Sequence, residues 1–359
     1  MAKRTSNMTD RERIEALLRH EKPDRVPLYP FDAAGFSMVY TGASIADAYN
    51  KPEVSLAAQR KTARDFSWLC IPVMGYAAFG SWEFGGEIKW PASEFDQAPT
   101  VTRRAIETAE DVWKLKIPDV KNAGITPIVI DFYKRSSQES FDNEPWSVFN
   151  QVEGAFNVAA NIVGAEVLSR WLIKKPEVAH RLLELASDFL IDRAQYMKEV
   201  FGVDNCFSGG GEPSASNQVI SPKHFRDFAF PYLKKEYENV LAMGYKHILI
   251  HICGEQNRNL PYWAQVPFGD PGFISIGHEV ELETAAKYFP KDIIVGNIEP
   301  TIIQTKTPDE VYEESRKVIE KGKKLPCGYI FSPGCSLPPM APTENVMAMT
   351  QAVNDFGWY

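Results

Sequence analysis

Residues 247–253 read His247-Ile248-Leu249-Ile250-His251-Ile252-Cys253. A short run of branched apolar residues between polar flanks is the pattern of a strand covered on both faces, as in a parallel sheet. It is one of a series. Toward the C-terminus comparable runs occupy 272–276, 292–296 and 328–331. Toward the N-terminus they occupy 203–207, 146–152, 68–73 and Arg25-Val26-Pro27-Leu28-Tyr29-Pro30. Helical periodicity fills most of the gaps, at 108–115, 168–201 with a break near Lys175-Pro176, 222–243, 282–289 and 309–321. Eight strands alternating with helices predict an α/β chain closed into a single-domain (β/α)8 TIM barrel.

The first helix, within an N-terminal helical segment of about 1–24, carries its own start signal: Thr9 as N-cap and Glu12 three residues on. Residues 76–100, with Trp82-Glu83-Phe84-Gly85-Gly86-Glu87-Ile88-Lys89-Trp90 at their centre, read as an inserted hairpin. Residues 119–145 read as a loop or an extra strand.

The chain has 359 residues, 44% of them apolar and 24% charged, which excludes a disordered chain or a fibre. Its 47 acidic and 39 basic residues give a net charge of -8, poorly suited to nucleic acid or an anionic membrane. No apolar run is long enough to span a bilayer, and Met1–Asn7 is followed by charged residues, not by a signal-peptide core. A cytoplasmic location is expected. Five cysteines, an odd number, argue for thiols over a disulfide framework.

In such a barrel, chemistry sits where the strands end. His251 and Cys253 close the fifth run and, two apart, point to the same face. Cys335 follows the eighth. One imidazole and two thiolates suit zinc, and three protein ligands leave the open position of a catalytic site. The bland alternative is two small buried thiols and a satisfied core histidine; the strand-end placement of all three weighs against it. Glu212 follows Gly209-Gly210-Gly211 at the fourth strand end, His278 the sixth and Asn297 the seventh. These are the further catalytic candidates. Glu212 is open to three roles: a fourth ligand, a hold on the substrate, or an ordinary carboxylate. Tyr76, Trp82 and Phe84, with Phe79 and Trp90, are candidates for a lid over a large planar cofactor, or else for packing on the barrel rim.

Several segments resemble the uroporphyrinogen decarboxylase superfamily. Gly296-Asn297-Ile298-Glu299-Pro300 is similar to its G-N-[LI]-[DE]-P loop. Gly328-Tyr329-Ile330-Phe331, then Pro338-Pro339 and Glu344-Asn345-Val346, resemble its last strand and helix. Ile220-Ser221-Pro222 with Phe225 and Phe228 resembles its I-S-P-x-x-F segment. The departures carry more meaning. The decarboxylases' R-Q-A-G-R stretch is replaced by Pro30-Phe31-Asp32-Ala33-Ala34-Gly35, so the cations that meet a polycarboxylate are missing. Phe66-Ser67-Trp68 stands where their catalytic aspartate is expected, and Gly334-Cys335-Ser336 replaces a late G-H-G. The superfamily's cobalamin-dependent methyltransferases carry H-x-C…C as zinc ligands, matched by His251, Cys253 and Cys335. This resemblance implies a zinc-dependent methyltransferase acting between a corrinoid (cobalamin) and a methyl ether, methylamine or thiol. The sequence has no D-x-H-x-x-G corrinoid anchor, so the cofactor is expected on a separate corrinoid-binding protein. The aromatic residues lean toward an aryl methyl ether. A homodimer is among the expectations. A porphyrinogen decarboxylase and a non-catalytic barrel are the rivals.

Overall fold

The structure, a computed structural model, describes residues 8–359 except 94, 95, 97, 140, 142 and 143. Six strands form one parallel sheet in sequential order: β3 (Val148–Gln151), β4 (Cys206–Gly211), β5 (Ile248–Ile252), β6 (Phe273–Ile276), β7 (Ile293–Ile298) and β8 (Tyr329–Pro333). Helices connect them, the longest being Pro176–Phe201. A separate antiparallel ribbon pairs β1 (Glu87–Lys89) with β2 (Thr100–Arg103).

The wall is completed by two extended segments without regular ladders. Leu28 bridges Phe331 of β8, and the Leu69 amide donates to Leu28 O. Prolines explain the missing ladders. Pro27, Pro30 and Pro72 have no N–H to give, so side chains take over. Gln59 Nε2 donates to Val73 O at 2.9 Å, and Val73 N donates back to Gln59 Oε1 at 2.8 Å. Met74 N reaches the Tyr133 hydroxyl at 3.3 Å. Together the eight segments enclose a barrel with the α/β architecture expected.

Other expectations need revision. Residues 126–136, within the stretch read as a loop or strand, form the helix Thr126–Ser136. Pro127 sits in its first turn, and Val129, Ile130, Phe132 and Tyr133 bury one face of it. Its β-branched residues hid that 3.6-residue period. The ribbon also lies later than its aromatic centre suggested, because residues 77–85 form turns. The break near Lys175-Pro176 is real: one helix ends at Lys174 and the next begins at Pro176. Thr9 and Glu12 make the anticipated capping box.

Register fixes what faces inward. Gln151 pairs with Gly209, Gly211 with His251, His251 with Ser275, and Asn297 with Ser332. With a period of two, Phe149, Phe207 and Phe273 share that inner face one layer deeper. Trp146 stacks on Phe207 with centroids 4.2 Å apart, and Phe273 meets Phe207 edge-on at 5.0 Å. Aromatic rings thus fill the barrel floor, and polar inward residues collect at its C-terminal mouth. No described helix is long and apolar enough to cross a membrane.

Candidate metal centre

His251 is the penultimate residue of β5, Cys253 lies one residue past its end, and Cys335 lies two past the end of β8. One ligand atom of each lies within 4.8 Å of the others. The two sulfurs are 3.9 Å apart. His251 Nδ1 faces Ser275 Oγ at 3.0 Å, which fixes the ring and turns Nε2 to the sulfurs. That Nε2 is buried and makes no hydrogen bond of ordinary geometry. A buried orphan acceptor beside two thiols fits a soft, tetrahedral metal such as zinc. Phe31 covers the imidazole edge-on, with centroids 4.7 Å apart.

The two thiols are inequivalent. The Cys335 thiol is pushed well down, chiefly because it shares the Cys253 proton and because His251 lies alongside. Cys253 is pushed up by the same shared proton, then by burial and by the carboxylates of Glu279 and Glu153. A site that readily yields one thiolate is ready to bind a cation.

Glu212 does not join the three. Gly211 faces the barrel interior, so its neighbour faces the helices. There Glu212 is fully buried and its Oε2 accepts from Phe156 N at 3.2 Å, at the start of the helix Ala155–Val163. Burial, then Glu236 and Glu153, raise its pKa well above the usual carboxylate range. Asn297 donates to Gly277 O and Val280 O at 3.1 and 2.7 Å, pinning the loop after β6. His278, in that loop, is half exposed and sits 3.6 Å from Glu279. Tyr76 and Phe84 are buried. The Tyr76 hydroxyl donates to Glu83 at 2.8 Å, and Phe84 packs on Phe189 of an outer helix. Trp82, only partly buried, meets Trp90 edge-on at 5.7 Å.

One residue escaped the sequence reading. Glu153 lies two residues past the end of β3, in phase with inward-facing Gln151. Its carboxylate accepts from Gln151 Nε2 at 2.7 Å and from Gly211 N at 3.2 Å. Gly211 is the register partner of His251, so Glu153 lies one side-chain-free strand away from the imidazole. Burial raises its pKa, against the hydrogen bonds from Gln151 and Gly211 and the pull of His251 and Arg193. The signal was present in the two-residue period running on past the apolar run.

The family model for uroporphyrinogen decarboxylase matches residues 9–356. A methylcobamide:CoM methyltransferase of Methanosarcina acetivorans is 28% identical over 355 residues, covering 97% of this chain and 98% of the relative. A uroporphyrinogen decarboxylase of Anaeromyxobacter is 26% identical over 264 residues, 70% of each chain. Among solved structures, a methyltransferase from Methanosarcina mazei superposes with a TM-score of 0.81 at 23% identity, covering 98% of this chain and 99% of the other, which speaks to the fold. Both in sequence across nearly its full length and in architecture, the chain belongs to the uroporphyrinogen decarboxylase family.

Proposed function

We propose that the protein is a corrinoid-dependent methyltransferase that holds zinc through His251, Cys253 and Cys335. It would move a methyl group between a small substrate and a corrinoid supplied by a separate protein. The convergence of those three ligand atoms at the barrel mouth carries this reading. The methyltransferase relatives, matched over nearly their whole length, support it.

Bound zinc supplies an open position that holds a thiol as thiolate at neutral pH or polarises a methyl ether oxygen. The protein's own groups set the stage. Ser275 holds the imidazole so that Nε2 is the ligand atom. Phe31 shields one flank of His251 from water. Gly209 and Gly211 leave the inner wall bare between Glu153 and His251, so a substrate has room there. Porphyrinogen decarboxylation is disfavoured by the same segment that covers the site. In place of arginines, residues 30–35 provide Phe31 against His251 and Asp32, which accepts from Phe36 N and Ser37 N. Uroporphyrinogen turnover at the rate of a genuine decarboxylase would contradict the proposal.

The test is the cobalt spectrum of zinc-loaded protein mixed either with methylcobalamin and a panel of thiols, or with reduced cob(I)alamin and a panel of methyl ethers and methylamines. The expected result is substrate-dependent change in cobalt methylation that stops when zinc is chelated and resumes when it is restored. No change with any panel member, in folded and zinc-loaded protein, refutes the proposal.

A further inference from the structure

The strands and the loops leaving their C-terminal ends share a charge pattern. Residues 29–41, 66–88, 146–169, 205–222, 248–257, 271–286, 292–305 and 328–359 contain no Lys or Arg. The same segments carry Asp32, Glu153, Glu255, Glu279, Glu281 and Glu299. In a chain with 39 basic residues, none stands on these strand-end segments. The first basic residue past β5, Arg258, is exposed to solvent. Arg193 approaches β3 from the helix Pro176–Phe201, packed outside the sheet. There Nη1 donates to Gln151 O at 2.6 Å and the guanidinium lies 5.1 Å from the Phe79 ring centre; Nε and Nη2 are buried without hydrogen-bond partners, and the charge reaches Glu153 from behind the sheet.

Buried acceptors beside the three candidate ligands await donors. Gln151 is only 8% exposed and faces inward. Its amide nitrogen is given to Glu153, and its Oε1 is buried with no hydrogen-bond partner. On the other side of β5, Glu279 Oε2 is buried and makes no hydrogen bond, with His278 Nδ1 at 3.6 Å. Both carboxylates act on Cys253. Glycines clear the ground between them and His251: a side chain on Gly277 would meet Glu279 Oε2 at 2.4 Å. A buried acceptor left unpaired is costly, and a donor brought by a ligand removes that cost.

We propose that the mouth selects a substrate whose non-reacting end is an ammonium or a similar small cation, held by Glu153 and Gln151 beside the ligands, and that it rejects anionic tails. This inference rests on the methyl-transfer reading above, since it places the reactive end of the same molecule at His251, Cys253 and Cys335. An anion there would face Glu153 and Glu279, offset on the Glu153 side by Arg193 from behind the sheet. A cation meets two carboxylates and the unpaired Gln151 Oε1 in a poorly solvated site, where charge discrimination is strong.

Three thiols of one chain length separate the alternatives: 2-aminoethanethiol, 2-mercaptoethanol and 2-mercaptoethanesulfonate. Their affinities for zinc-loaded protein are measured by calorimetry, independently of turnover. The ammonium thiol should bind at least about tenfold more tightly than the sulfonate, with the neutral thiol between them. Glu153→Gln should narrow that ratio while leaving the neutral thiol's affinity within about threefold. Equal or tighter binding of the sulfonate overturns the proposal, and so does a ratio unmoved by Glu153→Gln. Methyl transfer from methylcobalamin to 2-mercaptoethanol shows whether the underlying reading survives such a result. Loss of binding and transfer for all three thiols overturns both.

Discussion

Three side chains from two strand ends meet at one point, and a fourth decides how well they do so. Ser275 Oγ contacts His251 Nδ1 at 3.0 Å and so selects the nitrogen that faces the sulfurs. Ser275→Ala should lower zinc affinity by about 10–100-fold with the fold intact, measured by competition with a chromogenic chelator. An unchanged affinity would mean that packing by Phe31 alone orients the ring. At this scale the ligand set was legible, because H-x-C on a strand is a statement about parity and Cys335 had its own strand end. Glu153 was equally legible in principle, standing in phase with Gln151, but the reading stopped where the apolar residues stopped. Glu212 misled for the same reason in reverse. It adjoins three glycines at a strand end, yet parity sends it outward, under the helix Ala155–Val163. Proximity in sequence to the site does not set the direction of a side chain; parity does.

The glycine-rich β4 is where backbone and site constrain each other. A Cβ on Gly210 would lie 1.9 Å from Val152 O, and one on Gly209 would lie 2.4 Å from Leu249 O. Neither backbone oxygen can yield without moving its strand. Gly210→Ala should therefore destabilise the protein by about 1–3 kcal/mol or more, read as a fall in the urea midpoint. Gly211 differs, because its Cβ would stand 3.2 Å from His251 O. Gly211→Ala should cost less stability than Gly210→Ala while weakening ligand binding, since the methyl enters the gap between Glu153 and His251. Equal unfolding midpoints for the two variants would contradict this assignment of faces. From sequence alone the triple glycine fits either a cradle or close packing. The contacts of Gly209 and Gly210 are close packing, required by parallel neighbours on both sides. The first two barrel segments were recognisable as apolar runs, but their irregular bonding was not, because the partners are side chains, Gln59 and Tyr133, on the helices Pro52–Phe66 and Thr126–Ser136.

For the whole molecule, burial of acids sets the pH response. Glu83, Glu212 and Glu236 are 3%, 0% and 0% exposed, and burial raises the pKa of each. A carboxyl raised in the native state holds its proton more tightly there than in the unfolded chain. Its contribution is full below the ordinary carboxylate range and is lost as pH rises toward the raised value. In chelator-treated protein the Tm should fall between about pH 5 and about pH 8, and Glu236→Gln should flatten that fall and raise the Tm at the alkaline end. A wild-type Tm that climbs through the same range would show that other groups dominate. The barrel itself was readable from alternating strands and helices, since eight such repeats leave few closed topologies. The helix Thr126–Ser136 was not, because its period is carried by residues that also favour strands. The central claim concerns the metal, and it is tested most directly by metal analysis of purified wild type, Cys253→Ala and Cys335→Ala, each checked for folding by circular dichroism. The account predicts about one zinc per wild-type chain and a large loss in both variants. Equal, negligible zinc in all three folded proteins, even after incubation with zinc, would contradict it.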